Sequence, residues 1–138
     1  NPFGPRQRPE AAQGVVTTFV ARILRDEELQ VWGDGSVVRD YIYVADTVEA
    51  LARAAASPYC GTLNIGSGRG HSVNEVIECI ESSLGVKARR RYLPGRAFDV
   101  PSNVLDTALA RGTLDWEPKV PFEEGILATA RFLAHPRS

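Results

Sequence analysis

The stretch from Val31 to Asp46, VWGDGSVVRDYIYVAD, constrains the fold of this chain more than any other. A Gly-Asp-Gly turn separates two apolar segments. Gly33 and Gly35 supply the positive φ that a tight reversal needs, and Asp34 tolerates it. Val31 and Trp32 before the turn, and Val37 and Val38 after it, read as strand ends. Tyr41-Ile42-Tyr43-Val44 is aromatic and β-branched, so the chain continues extended, and Asp46 is placed to cap a following helix. One arginine, Arg39, is held between the rigid turn and the buried run, where its planar fork is well placed to engage a phosphate. A surface ion pair with Asp40 or Asp46 accounts for the same residues, and the stretch taken alone favours that reading.

Upstream, NPFGPRQRPE is a proline-rich, locally basic loop. Val15, Val16, Phe19, Val20, Ile23 and Leu24 then recur at helical spacing, and Leu29 to Trp32 reads as a short strand. Downstream of Asp46, VEALARAAA is strongly helical and is stopped by Pro58. Thr62 to Ile65 reads as a β-type run leading into Gly66-Ser67-Gly68-Arg69-Gly70. Ser72-Val73-Asn74-Glu75 is a capping box for a helix carrying Val76, Ile77, Ile80 and Leu84 on one face, with Gly85 as its stop. Ala88 to Leu93 is a strand on which alternation sets Arg90 opposite Arg89 and Arg91. Asp106 caps a short helix over residues 107–114. Trp116-Glu117-Pro118 is a stiff connection, and a last helix runs from Phe122 to about Leu133. Helices and strands interleave, so the class is α/β, but the strands are too few and short for a full doubly wound sheet.

Composition excludes several functions. The 138 residues suit one domain, with 43% hydrophobic and 24% charged residues, an ordinary soluble balance. A net charge of −1 supplies no field for nucleic acid or membrane. No apolar run approaches a membrane span, and nothing near Asn1 reads as a signal peptide. Cys60 and Cys79 are set as neither a metal nor a redox pair, and Cys79 reads as a small core residue. A reducing cytoplasm is the default location. The chain has no Met and opens abruptly at Asn1-Pro2, so the expectation is a piece of a longer protein.

The chemistry-bearing residues are sparse. Gly66 to Gly70 follows a strand and precedes a capped helix, but it lacks the G-x-G-x-x-G spacing, and a strand-to-helix turn is the preferred reading. His71 and His135 have no evident partner. The clusters Asp26-Glu27-Glu28 and Glu123-Glu124 fall at helix ends, where solvation and the helix dipole explain them, so no metal and no catalytic constellation is assigned. Arg39 with Asp40, and Arg96 with Asp99, have the donor and acceptor types that suit a nucleotide diphosphate. By spacing alone, structural ion pairs account for them equally.

NPFGPRQ, VWGDGSVVRDYIYVAD, TLNIGSGRGHSVNEV, PGRAFDVPSNVLD and LDWEPKVPFEEGI occur in this order along essentially the whole chain. Together they resemble the extended short-chain dehydrogenase/reductase family, specifically the C-terminal part of its NAD-dependent nucleotide-sugar epimerases and dehydratases, of which UDP-glucose 4-epimerase is typical. The resemblance implies the α/β substrate-binding portion of such an enzyme, without its complete Rossmann sheet, with residues 1–138 as one nucleotide-sugar-binding domain. Asn1 then resembles an asparagine that hydrogen-bonds the substrate's phosphates, and Pro2 lies where the chain passes the nicotinamide and sugar. Val16 resembles a residue lining the nucleotide pocket. Gln30 and Trp32, flanking Val31, match the strand whose backbone binds the uracil edge. Arg39, in V-R-D-Y, resembles the arginine that grips the pyrophosphate, with Tyr41 beside it. Arg96 and Asp99 match an arginine and an aspartate that contact phosphate and ribose. The resemblance makes Arg39 the foremost candidate.

Departures from the family pattern matter as much. The glycine-rich dinucleotide fingerprint, the catalytic serine or threonine and the Tyr-x-x-x-Lys pair are absent from the sequence. Phe98 stands where many members have glycine, and Asp115 replaces a glycine before Trp116. The resemblance therefore implies a substrate clamp without a reaction centre. NAD is the cofactor of the longer parent and is not expected to bind this chain alone. The implied partners are a nucleotide sugar, with UDP-sugar favoured, the N-terminal Rossmann domain and, in the parent, a second copy as a homodimer. A free-standing nucleotide-binding module, or a remnant that packs against a partner chain, is the alternative.

Overall fold

The computed structural model describes residues 1–9, 14–96 and 99–135. In chain order these form β1 (Pro2–Phe3), α1 (Val15–Leu24), β2 (Leu29–Trp32), β3 (Val38–Asp40), β4 (Ile42–Tyr43), α2 (Val44–Ala56) and β5 (Gly70–Ser72). There follow α3 (Val73–Leu84), β6 (Arg90–Leu93), β7 (Ser102–Asn103), α4 (Ala108–Leu114) and α5 (Phe122–Ala134). The α/β class is as expected, and the strands are gathered into three small sheets. β1 pairs in parallel with β4, β2 pairs in parallel with β6, and β3 lies between antiparallel β5 and parallel β7.

Helices α1, α3 and α5 pack on one another and bury the apolar stripes read from the sequence. Val16, Val20, Val76, Ile77, Ile80 and Ile126 are 0–1% exposed and enclose Leu29 and Val31 of β2. Cys79 is packed against the same cluster. A second, smaller core joins Ile42, Ala50, Ala110, Leu114 and Trp116. The capping box is fully formed: Ser72 Oγ accepts from the Glu75 amide at 3.1 Å, and Glu75 Oε2 accepts from the Ser72 amide at 2.6 Å. Gly85 ends the helix with φ +66°. Arg90 points inward while Arg89 and Arg91 are exposed, as alternation requires.

Three expectations are corrected. Asp46 does not cap α2, which begins at Val44. It is buried in the first turn, its Oδ2 accepting from the Val120 amide at 3.1 Å and its carbonyl from Trp116 Nε1 at 3.1 Å. Its carboxylate is thus spent tying the connection before α5 to α2. Thr62 to Ile65 forms no strand, because a β-prone run needs a neighbouring ladder and no described residue provides one. Leu63 and Ile65 pack on the smaller core instead. Finally, α4 begins at Ala108 with Thr107 at its N-cap position, although Asp106 Oδ1 accepts from the Ala108 amide at 2.9 Å.

Candidate functional site

A cavity of about 550 Å³ opens between α1, β2, β3 and the segment around Arg96. All nine residues singled out by the resemblance line it: Asn1, Pro2, Val16, Gln30, Trp32, Arg39, Tyr41, Arg96 and Asp99. They come from five separated parts of the chain. Phe98 lies outside the described residues.

Arg39 is fixed from both sides. Its Nη1 donates to the Val38 carbonyl at 2.8 Å and to the Val100 carbonyl at 2.7 Å. Neither acid named beside it in the sequence is its partner. Asp46 holds Val120, and the Asp40 carboxylate accepts from Ser67 and Gly68. Arg39 therefore keeps its positive charge at the cavity wall without a neutralising carboxylate from either neighbour. Tyr41 is 6% exposed and stacks against Phe122, with ring centroids 5.9 Å apart. Burial raises its phenol above the usual range and the Arg39 guanidinium opposes this, so it stays a neutral hydroxyl at physiological pH.

At the other end, Arg96 lies over the Trp32 ring with Cζ 4.1 Å from the centroid. The Asp99 amide donates to the Arg96 carbonyl at 3.1 Å, and both residues line the cavity. Asn1 Nδ2 donates to the Asp40 carbonyl at 2.9 Å. The backbone of β2 supplies a further feature. The Leu29 and Gly33 amides donate to Arg89 and Leu93, so in a parallel ladder the intervening Gln30 and Trp32 direct their amides and carbonyls to the opposite edge. That edge carries no strand among the described residues. Arg39, Arg96 and Arg22, the last also paired with Glu27 at 3.5 Å, line the cavity with one carboxylate, Asp99, so the cavity suits an anion.

Residue-type reasoning missed Gln7, Thr18, Phe19 and Arg22, all of which line the cavity. Phe19 and Arg22 follow Val15 by one and two helical turns, so the apolar stripe of α1, extended to its polar members, would have found Arg22. Gln7 is recruited by packing beneath Gly14, where a Cβ would lie 2.6 Å from Gln7 Nε2.

The geometry has close counterparts among known proteins. The family model for GDP-mannose 4,6 dehydratase matches residues 1–129. This chain belongs to that family. UDP-glucose 4-epimerase of Mycolicibacterium smegmatis is 36% identical over 133 residues, covering 96% of this chain and 42% of that protein. The Thermotoga maritima UDP-glucose 4-epimerase solved with UDP-glucose superposes with a TM-score of 0.92 at 41% identity, covering 97% of this chain and 43% of that one. The Thermus thermophilus UDP-glucose 4-epimerase solved with NAD gives 0.90 at 34% identity, covering 99% and 45%. The chain thus spans about two fifths of the length of the relatives it matches and corresponds to the C-terminal portion of these extended short-chain dehydrogenase/reductase enzymes.

The Thermus thermophilus relative and a UDP-glucuronic acid 4-epimerase of Bacillus cereus are solved with NAD. The glycine-rich loop at residues 66–70 is already filled by a protein anion. The Ser67 and Gly68 amides donate to Asp40 at 2.7 and 3.0 Å, and a Cβ on Gly66 would lie 2.6 Å from Asp40 Oδ2. The loop leads from an irregular segment into β5, not directly into a helix, and secures Asp40, leaving no nest for a pyrophosphate. Among the described residues no group of His, Cys, Asp and Glu could hold a metal, and no helix is long and apolar enough to cross a membrane.

Proposed function

We propose that this chain is the nucleotide-sugar-binding part of an NAD-dependent epimerase or dehydratase, and that its cavity takes the nucleoside diphosphate of a UDP-sugar. The observation that carries the reading is the convergence of Arg39, Arg96, Asp99 and Asn1 on one cavity that also holds the open edge of β2. The two guanidiniums match the charge of a diphosphate. The amides and carbonyls of Gln30 and Trp32, turned away from β6, offer the alternating donors and acceptors that a pyrimidine edge needs, and Asp99 can accept from a ribose hydroxyl. About 550 Å³ lies within the usual range for a small-molecule pocket. Similar proteins solved with UDP-glucose support the choice of uridine.

In this reading the described residues bind and orient the substrate, and the hydride chemistry that NAD supplies belongs to the part of the parent that this chain does not span. Calorimetric titration of the chain with UDP, with NAD as control, tests the proposal. UDP binds, NAD does not, and Arg39→Ala weakens UDP by about tenfold or more, the loss of one charge-assisted phosphate contact. A folded chain that ignores UDP would refute it.

A further inference from the structure

Asp40 does not line the cavity, yet more of the site is hung from it than from any residue that does. Its carboxylate is buried, the residue being 1% exposed. Oδ1 accepts from the Ser67 amide at 2.7 Å and the Ser67 hydroxyl at 2.6 Å, and Oδ2 accepts from the amides of Gly68 at 3.0 Å and Leu105 at 3.3 Å. Its backbone carbonyl accepts from Asn1 Nδ2 at 2.9 Å. One residue therefore ties four segments together: the start of the chain, β3, the glycine-rich loop and the stretch after β7.

The placement of these bonds matters. The β3–β7 ladder ends at Arg39 opposite Asn103. Beyond that pair, the Asp40 carboxylate takes over, capturing the Leu105 amide where no backbone partner continues the ladder. The stretch so anchored also carries Val100, whose carbonyl accepts from Arg39, and Asp99. Ordinary satisfaction of a buried carboxylate would need only nearby donors. Here one donor, the Leu105 amide, lies on the stretch that carries Asp99 and the Val100 carbonyl receiving Arg39.

We propose that Asp40 is the positioning residue of the diphosphate clamp, its carboxylate fixing the stretch after β7 and, with it, the Val100 carbonyl that orients Arg39. The inference rests on the nucleotide-diphosphate reading above. It predicts a selective defect: loosening Asp40 misplaces the groups that meet phosphate while leaving the base edge on β2 intact, since β2 is held by β6 and the main core.

Two variants probe it. Asp40→Asn presents donors to the Gly68 and Leu105 amides, and Gly66→Ala leaves the carboxylate in place but sets a methyl 2.6 Å from Oδ2. UDP and uracil are titrated into the wild-type chain, each variant, Arg39→Ala and the Asp40→Asn/Arg39→Ala double variant by NMR, alongside thermal melts. The expected result is a loss of about tenfold in UDP affinity with uracil affinity changed by less than about twofold. The double variant falls within about twofold of Arg39→Ala alone, because Asp40 acts through Arg39. Equal losses for UDP and uracil, or an additive double variant, would show a merely structural residue and overturn the proposal. If Asp40→Asn does not fold, a folded Gly66→Ala chain with unchanged UDP affinity overturns it equally. Failure of the wild-type chain to bind UDP would instead sink the nucleotide reading on which the inference stands.

Discussion

Glu81 is the buried charge on which acid stability turns. It is 5% exposed on α3 and accepts from the Ala88 amide at 2.9 Å, from Lys87 Nζ at 3.0 Å and, as an ion pair, from Arg90 Nη2 at 2.9 Å. Burial by itself would raise its pKa. The Ala88 amide and the Arg90 and Lys87 cations overcome that and hold it at about 2, against an ordinary 4.5. At ~1.36 kcal/mol per unit the full shift would correspond to about 3 kcal/mol. The Lys87 side chain is 90% exposed and that of Arg90 22%, so screening reduces the figure to about 1–2 kcal/mol. The folded pKa is depressed, so this stability is fully present above about pH 4.5 and is lost as pH falls towards 2. Glu81→Gln is therefore expected to lower the stability by about 1–2 kcal/mol at pH 7, or roughly 3–10 °C in Tm. The deficit against wild type should shrink between pH 5 and 2 and vanish near pH 2. Urea melts of both proteins across that range provide the measurement. A deficit that is the same at pH 2 as at pH 7 would refute the reasoning, since a packing defect does not titrate.

Two further perturbations test the scaffold. Gly35 has φ +78°, and a Cβ there would collide with the Asn74 amide that donates to the Asp34 carbonyl, so Gly35→Ala should cost about 1–3 kcal/mol in urea unfolding. Ile80 is 0% exposed between α3 and the main core, and Ile80→Ala should cost about 2–5 kcal/mol with an unchanged m value.

The helices were legible in the sequence because their signals are local. The capping box at Ser72, the stop at Gly85 and the stripe from Val16 to Ile23 each lie within one or two helical turns. The strands were less so. Thr62 to Ile65 has strand chemistry and no ladder, while Gly70 to Ser72 has little strand chemistry and is made a strand by β3. Asp46 was misread because its deciding partner, Val120, is remote in sequence. The site shows the same division. Arg39 and Arg96 could be suspected of phosphate binding, but only the family resemblance ranked them above ion pairs. The stacking of Arg96 on Trp32 and the capture of Asp40 by the glycine-rich loop depend on contacts between distant segments, which no local pattern encodes.

No strand described here pairs with the next one along the chain. Pro2 meets Ile42, Leu29 meets Arg90, Asp40 meets Gly70 and Val38 meets Ser102. Every ladder therefore closes a long loop, whose entropy is spent before the pairing gives anything back, and such topologies fold slowly for their size. The helices can form and dock first, since their signals are local. The walls of the cavity are those same late-closing strands, so a competent site exists only at the end of folding.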